Sequence, residues 1–214
     1  MKKQVILAFL SLCCFSQAVW AVPVSVEVVD ENGQAVPDAD LYLAVENLKS
    51  PTARTDATGR HSFEAPTEEN SWIGHVVVKK SGLALGGTSL KKGENKVVLP
   101  RATSVSGVVT DDGGAPLAGV QVKLQSMALE LSKKEKNGGF GPWISLYGSP
   151  IQTDYTVQTG ANGAFRFEGI PSDAEAHLSV VAAGFAARNV KIKSGESQTI
   201  ALARGTILRG QVLD

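Results

Sequence analysis

The 214-residue sequence predicts an all-β chain made of two tandem antiparallel β-sandwiches of a seven-stranded type, with the first strand of a third at the end. Apolar residues alternate with polar ones at every second position, which places one set of side chains on one face of a strand. Turn residues recur about every ten residues, a spacing typical of short strands in a sandwich. In addition, long phrases of the sequence repeat.

The repeat gives the domain organisation. Val24–Gly33 recurs as Val105–Gly114, and Thr206–Asp214 begins the same phrase a third time. Further matches pair Thr55–Pro66 with Thr159–Pro171, His75–Gly82 with His177–Gly184, and Lys92–Glu94 with Ser194–Glu196. Because each copy is an internal control on the other, we predict sandwiches at 22–101 and 102–204. Residues 205–214 would start a truncated third repeat, so we expect the front end of a longer protein.

Residues 1–21 have the pattern of a signal peptide. Lys2 and Lys3 precede the apolar run Val5–Phe15, which is too short to span a bilayer comfortably. Val19 and Ala21 are compact residues at the −3 and −1 positions of a signal peptidase site, so we expect cleavage before Val22. We therefore expect an exported bacterial protein, in the periplasm, at the cell surface or outside the cell, whose mature part has no transmembrane segment.

Both cysteines, Cys13 and Cys14, lie inside this segment. Leu12 is bulky where a lipoprotein cleavage site requires a small residue, so we interpret both cysteines as ordinary apolar residues of the leader. The mature chain then has no disulfide and depends on its core, which suits a bacterial envelope protein.

The charge balance disfavours one class of partner. The chain has 21 Lys and Arg against 21 Asp and Glu, and no basic stripe with interleaved aromatic residues. Phosphate binding depends on clustered cations, so we expect no nucleic acid partner.

The strands of the first unit follow from the alternation. The apolar sets are Val24, Val26 and Val28 for the first strand, and Leu41, Leu43 and Val45 for the second. Turn residues such as Glu31-Asn32-Gly33, Ser81-Gly82 and Lys92-Gly93 separate the strands. Only Met127–Lys136 has a pattern that predicts a short amphipathic helix.

That helix would lie in an inserted segment of the second unit. The offset between matching residues is 81 at Asp30 and Asp111 but 104 at Gly59 and Gly163, so 23 additional residues lie between Leu124 and Thr153. We place this inserted segment at 126–150.

The inserted segment carries the candidate ligand-binding residues Phe140, Trp143 and Tyr147. Their rings could bind sugars or partner proteins by stacking and apolar burial. Alternatively, they cover an open end of the sandwich or pack on the neighbouring unit. Trp72, on a predicted strand, is interpreted as a core residue.

The repeated phrases resemble the carboxypeptidase regulatory-like domain, a transthyretin-like (prealbumin-like) sandwich with a carbohydrate-binding-like fold. The second unit carries the pattern in Gly107-Val108-Val109, Asp111–Gly114, Thr159–Phe167, Pro171 and Gly184-Phe185. The first unit departs from it, with Glu27 near the glycine position, Asp38 for a later glycine and Leu83 where an aromatic is usual. The resemblance is specific for the fold and weak for function.

In that pattern each hairpin residue has a physical role. The glycine supplies a positive φ in a tight turn, the phenylalanine points into the core, and the proline ends the strand because it has no N–H. The pairs are Gly59 and Gly163, Phe63 and Phe167, and Pro66 and Pro171.

We find no catalytic or metal motif that survives comparison of the repeats. His61-Ser62-Phe63-Glu64 matches the H-x-x-E of zinc carboxypeptidases, but the aligned phrase is Phe165-Arg166-Phe167-Glu168. Residues three apart on a strand also face opposite sides of the sheet, and a zinc site requires a third ligand. His75 and His177 occupy matching positions, which favours a structural role.

Other chemistry lacks its required residues. No G-x-S-x-G motif occurs, and neither Gly86-Gly87 nor Gly138-Gly139 precedes a helix with a lysine. A Lys–Asn isopeptide bond would need a lysine on the first strand, and Val24–Val29 and Val105–Thr110 contain none. We therefore expect neither an enzyme nor a cofactor.

These expectations lead to a function hypothesis. We expect a non-catalytic exported repeat module that acts as a spacer or binding region of a larger envelope protein. Its partners would be a polysaccharide or cell-surface protein and the downstream domains of the same chain. The alternatives are the accessory N-terminal region of an enzyme such as a peptidase, or of an outer-membrane receptor, whose functional domain lies downstream.

Overall fold

The computed structural model describes residues 21–46, 48, 52–66, 73–129 and 143–206. The predicted signal peptide lies almost entirely outside these residues, as do Trp72, Phe140 and most of the predicted third repeat. The described residues form four β-sheets, arranged as two successive sandwiches, which confirms the all-β fold class.

The first sandwich has seven strands among its described residues and the second has eight. The strands of the first are β1 Ala21–Asp30, β2 Asp40–Val45, β3 Thr52–Arg54, β4 Arg60–Pro66, β5 Gly74–Lys79, β6 Gly86–Leu90 and β7 Gly93–Leu99. The strands of the second are β8 Ala102–Asp111, β9 Gln121–Leu129, β10 Trp143–Ser145, β11 Thr156–Gln158, β12 Ala164–Pro171, β13 Ala174–Val181, β14 Arg188–Lys193 and β15 Ser197–Leu202. A 3-10 helix, Pro150–Thr153, precedes β11.

The two sandwiches share one topology. One sheet of each has the order β4-β1-β7 or β12-β8-β15, and the facing sheet has the order β3-β2-β5-β6 or β10-β9-β13-β14, with β11 also paired to β9. Neighbouring strands are antiparallel except β1 with β7 and β8 with β15, which are parallel. The first and last strands of each unit therefore lie side by side.

Matching positions in the two units have matching backbone geometry. The hairpin residues Gly59 and Gly163 have φ of 74° and 72°, as expected. Gly119 has φ of 71°, and its counterpart Asp38 has φ of 52°. Asp38 is the one non-glycine residue with positive φ in the described chain, which is tolerable because a short polar side chain tolerates this region better than a bulky one.

A buried threonine fixes the same turn in both units. Thr55 Oγ1 donates to the Val36 carbonyl at 2.8 Å and accepts from the Ala39 amide at 2.8 Å. Thr159 Oγ1 likewise donates to Leu117 O at 2.6 Å and accepts from the Val120 amide at 3.0 Å. Buried polar groups that are fully paired in this way specify one arrangement of the chain.

The repeated hairpin differs at one pair of core positions. Phe167 is 3% exposed, whereas Phe63 is half-buried at the edge of its core. Gly107 faces Phe165, and a Cβ at Gly107 would approach that ring to 2.7 Å. The first unit instead pairs Val26 with His61. A Cβ at Gly107 would also lie 2.3 Å from the Gln198 carbonyl oxygen, so the second unit requires a glycine at a position where the first unit has a valine.

The apolar core of the second sandwich extends into the first sandwich. Val77 and Leu85 of the first sandwich belong to the buried hydrophobic cluster of the second, and Tyr42 packs against that cluster. The Leu85 amide donates to the Gly169 carbonyl at 2.8 Å, and Gly169 lies at a bulge in β12. Lys79 Nζ lies 3.1 Å from the Asp154 carboxylate. Only Pro100 and Arg101 separate β7 from β8, so the linker adds little freedom.

The face that forms this junction differs between the units. Tyr42 and Val77 are paired neighbours on the outer face of the first sandwich. Their counterparts in the second sandwich, Lys123 and Ser179, are also paired neighbours but are polar. The second sandwich therefore does not present an apolar face equivalent to the one that the first presents to it.

The helix predicted over Met127–Lys136 is wrong for the residues that the structure describes. Met127–Leu129 continue β9, and residues 130–136 lie outside the described chain. Strand β9 continues because it has partners on both sides: Met127 pairs with Ile144 of β10 and with Ala176 of β13. Those ladder hydrogen bonds outweigh a local helical pattern.

Candidate binding groove

A groove of about 890 Å³ lies where the inserted segment meets the first sandwich. Its walls come from both units. The first sandwich contributes Leu43, Ala44, Val45, Glu46, His75 and Ser89, and the inserted segment contributes Trp143, Ser145, Tyr147, Gly148 and Pro150. We call this feature the junction groove.

Strand β10 determines which side chains of the inserted segment reach the groove. Its pairing with β9 alternates the two faces, so Ile144 points inward and is 1% exposed. Trp143 and Ser145 point to the opposite face, and Trp143 is 43% exposed. Tyr147 follows in the turn that Gly148 completes with a φ of 70°, and its side chain is 77% exposed.

The Trp143 ring packs against the His177 ring of the second sandwich, which is itself paired with a carboxylate. Its centroid lies 4.7 Å from that of the His177 ring, in an edge-on arrangement. His177 Nε2 lies 3.2 Å from the Glu175 carboxylate, which also contacts Lys191 Nζ at 3.1 Å. The hydrogen bond from Lys191, and more weakly that from His177, lowers the pKa of Glu175. The carboxylate is therefore ionised at neutral pH.

His75 connects the two walls of the groove. It lies on β5 of the first sandwich, and its imidazole is hydrogen-bonded to the backbone of Ser145. Burial lowers the pKa of His75, and this backbone hydrogen bond opposes the shift. The ring is therefore neutral at pH 7. The matching positions of His75 and His177 favoured a structural role, and the bond of His75 to the Ser145 backbone agrees with that interpretation.

The groove has a low density of charge. Glu46 is the only charged residue among its described lining residues, and no lysine or arginine is among them. The polar groups are few: the Glu46 carboxylate, the His75 ring and the hydroxyls of Ser89, Ser145 and Tyr147. Apolar side chains and two exposed aromatic rings make up the rest. Such a surface suits a ligand with both an apolar face and hydroxyl groups.

The structure brings together two of the three predicted site residues. Trp143 and Tyr147 line the same groove, and Phe140 lies outside the described residues. The sequence analysis gave contact with the neighbouring unit as an alternative for these rings, but it did not identify the residues of the first sandwich that form the other wall. One available signal was the run Val76-Val77-Val78, all buried, because consecutive apolar residues on a strand indicate that both of its faces are covered.

The residues that resembled a zinc motif do not form a metal site in the structure. On β4, His61 is half-buried and Glu64 is exposed. The His61 ring stacks on Phe63, with centroids 6.1 Å apart. Within the described residues, no three His, Cys, Asp or Glu side chains are grouped so that they could hold a metal ion.

Residues 104–203 match the family model of the carboxypeptidase regulatory-like domain. The match covers the second sandwich, which is the unit whose sequence phrases carry the resemblance. No sequence among curated proteins matches the chain. In the ranges that the structure describes, no helix combines the length and apolar character needed to cross a membrane.

Several solved structures are similar to the chain at low identity. The shaft pilin SpaA of Lactobacillus rhamnosus GG is 14% identical with a TM-score of 0.36, and the match covers 89% of this chain and 100% of that one. A streptococcal ancillary pilin is 16% identical with a TM-score of 0.35, over 89% and 64% of the two chains. A 3-chlorocatechol 1,2-dioxygenase of Rhodococcus opacus 1CP is 15% identical with a TM-score of 0.34, over 49% and 60%. The match to the family model is confined to residues 104–203.

Proposed function

We propose that the chain is an exported, non-catalytic β-sandwich module that spaces a larger envelope or extracellular protein and binds a polysaccharide or cell-surface protein. One observation carries the binding part of this proposal: Trp143 and Tyr147 expose their rings beside one groove. Large aromatic rings are normally buried, so two exposed together favour an intermolecular contact. The shared apolar core at the junction supports the spacer role, because it holds the two units in one orientation.

The position of the Trp143 and Tyr147 rings supports a role in ligand binding rather than a role in covering the core. Ile144, between them in sequence, fills the core and leaves the rings outside. The inserted segment also packs on the first sandwich, since Ile144 Cγ2 would lie 3.1 Å from a Cβ placed on Gly87. A rigid platform of this kind loses little conformational entropy when a ligand binds.

Binding of the purified chain to a panel of polysaccharides, peptidoglycan and whole bacterial cells tests the binding role. The variant Trp143→Ala/Tyr147→Ala should lose binding while keeping the far-ultraviolet circular dichroism of the parent. Val98→Ala/Val181→Ala is the matched control, because these apolar side chains are 47% and 45% exposed away from the groove. Equal binding by all three proteins would refute a site at the inserted segment.

Export is tested separately with residues 1–30 fused to alkaline phosphatase, which is active only outside the cytoplasm. We expect activity from this fusion and none from a fusion of residues 22–30. Equal activity of the two fusions would contradict the export proposal and leave the binding result unaffected.

A further inference from the structure

We propose that the junction groove is a composite site for a saccharide chain without acidic groups, in which the first sandwich determines specificity and the inserted segment supplies the stacking rings. This inference rests on the proposed binding function and goes further in two respects. It names the ligand class, and it assigns Glu46 and Ser89 to the site, with His75 as the residue that connects the two walls.

The dimensions of the groove suit a small ligand or part of a chain. Its volume of about 890 Å³ lies within the range of roughly 300–1,000 Å³ that is usual for ligand sites. The lining is apolar, with a few polar groups that can fix the orientation of a ligand. The groove therefore has the composition of a recognition site rather than that of an ordinary hydrated surface cleft.

The chemistry of the lining matches a pyranose ring. Such a ring has C–H groups on its faces, which pack on aromatic side chains, and hydroxyl groups around its edge. Trp143 and Tyr147 offer aromatic surface, while Glu46 and Ser89 offer hydrogen-bonding atoms on the opposite wall. A purely hydrocarbon ligand would leave these polar groups without partners as it displaced water, which costs free energy.

The charge distribution selects among saccharides. Glu46 is the only charged group among the described lining residues, and no lysine or arginine lies among them to bind an anion. A carboxylate, sulfate or phosphate on the ligand would be repelled by Glu46. His75, neutral at pH 7 for the reason given above, adds no positive charge. A neutral glycan or one with amino groups is therefore preferred over an acidic one.

Both walls are fixed relative to each other before a ligand binds. The imidazole of His75 is bonded to the Ser145 backbone, and Lys79 pairs with Asp154 across the same junction. Ile144 holds β10 in the core. A ligand in the groove would contact both sandwiches at once, so removal of either wall should weaken binding.

The test is isothermal titration calorimetry of residues 22–214 with three oligosaccharide probes: neutral glucose oligomers, glucosamine oligomers and galacturonate oligomers. We expect binding of at least one of the first two and weaker binding of the third. Trp143→Ala should weaken binding by about tenfold or more, because it removes stacking area. Glu46→Gln, which keeps the shape of the side chain, should weaken the preferred probe by about threefold to tenfold and reduce the discrimination against galacturonate.

Controls separate the composite site from the general proposal. Glu64→Gln removes an exposed carboxylate on β4, outside the groove, and should change nothing. Binding that depends on Trp143 but is unchanged in Glu46→Gln and Ser89→Ala would overturn the composite site and leave the proposed function in place. Preference for galacturonate, or binding of a cell-surface protein and of no saccharide, would overturn the ligand class. Absence of binding both in this titration and in the panel of polysaccharides, peptidoglycan and cells would overturn the binding part of the proposed function as well.

Discussion

Gly59 and Gly163 occupy the same turn of the two sandwiches, and both are required there for two reasons. Each has a positive φ, and each lies against the neighbouring strand: a Cβ would lie 2.8 Å from the Val28 carbonyl oxygen or 2.4 Å from that of Val109. Gly114 also has a positive φ, 85°, but nothing lies within 4 Å of its Cβ position. Gly163 thus has both constraints, whereas Gly114 has the backbone constraint alone.

Gly163→Ala should therefore destabilise the protein more than Gly114→Ala. The positive φ costs alanine about 1–2 kcal/mol at either site, and the contact with Val109 should add about 1–3 kcal/mol at Gly163. Urea denaturation followed by circular dichroism measures the difference in the free energy of unfolding. Equal effects of the two substitutions would mean that β8 moves away freely, contrary to the packing described.

His75 should make stability depend on pH in a defined window. Burial lowers its pKa from 6.5, so between the lowered pKa and 6.5 the unfolded chain binds more protons than the folded one. The free energy of unfolding therefore falls as the pH decreases below 6.5. His75→Asn should reduce this slope in urea titrations between pH 7.5 and 5. His61, whose pKa is also lowered by burial, should account for part of what remains, so an unchanged slope in His75→Asn would contradict this assignment.

At the scale of elements, β10 is the addition that distinguishes the second sandwich. It pairs with the extended end of β9 and inserts Ile144 into the core. Ile144→Ala should cost about 2–5 kcal/mol of unfolding free energy, because it leaves a cavity at a fully buried site. Val98→Ala, at an exposed position, should change stability by about 0.5 kcal/mol or less. A small effect of Ile144→Ala would indicate that β10 is not anchored.

The strands and their turns were predictable from sequence, and the pairing of distant strands was not. Alternation at Val24, Val26 and Val28 depends only on one strand and the core beneath it, and these residues are all buried. The parallel pairing of β1 with β7 depends on how the chain crosses between two sheets, which no local pattern encodes. The same limit applies to the groove: the rings were visible in the sequence, but its second wall arises from contact between units.

At the scale of the whole molecule, the shared core should make the two sandwiches unfold together. Val77→Asp places a charge in the apolar junction, which should destabilise the protein by about 3 kcal/mol or more and separate one calorimetric transition into two. Val181→Asp is the control, because Val181 lies in the equivalent sheet of the second sandwich and is 45% exposed. Two transitions in the parent protein, or one in Val77→Asp, would contradict a cooperative junction.

The difference between the two outer faces gives the chain a direction. Tyr42 and Val77 give the first sandwich an apolar surface that packs against the second. Lys123 and Ser179 give the equivalent face of the second sandwich a polar surface. The two units share one sequence pattern but are not interchangeable. A chimera with the two units in reversed order would bury Lys123 at the junction and expose Tyr42 and Val77 to solvent. The two units are therefore not equivalent at this face, and we expect only the native order to place an apolar contact between them.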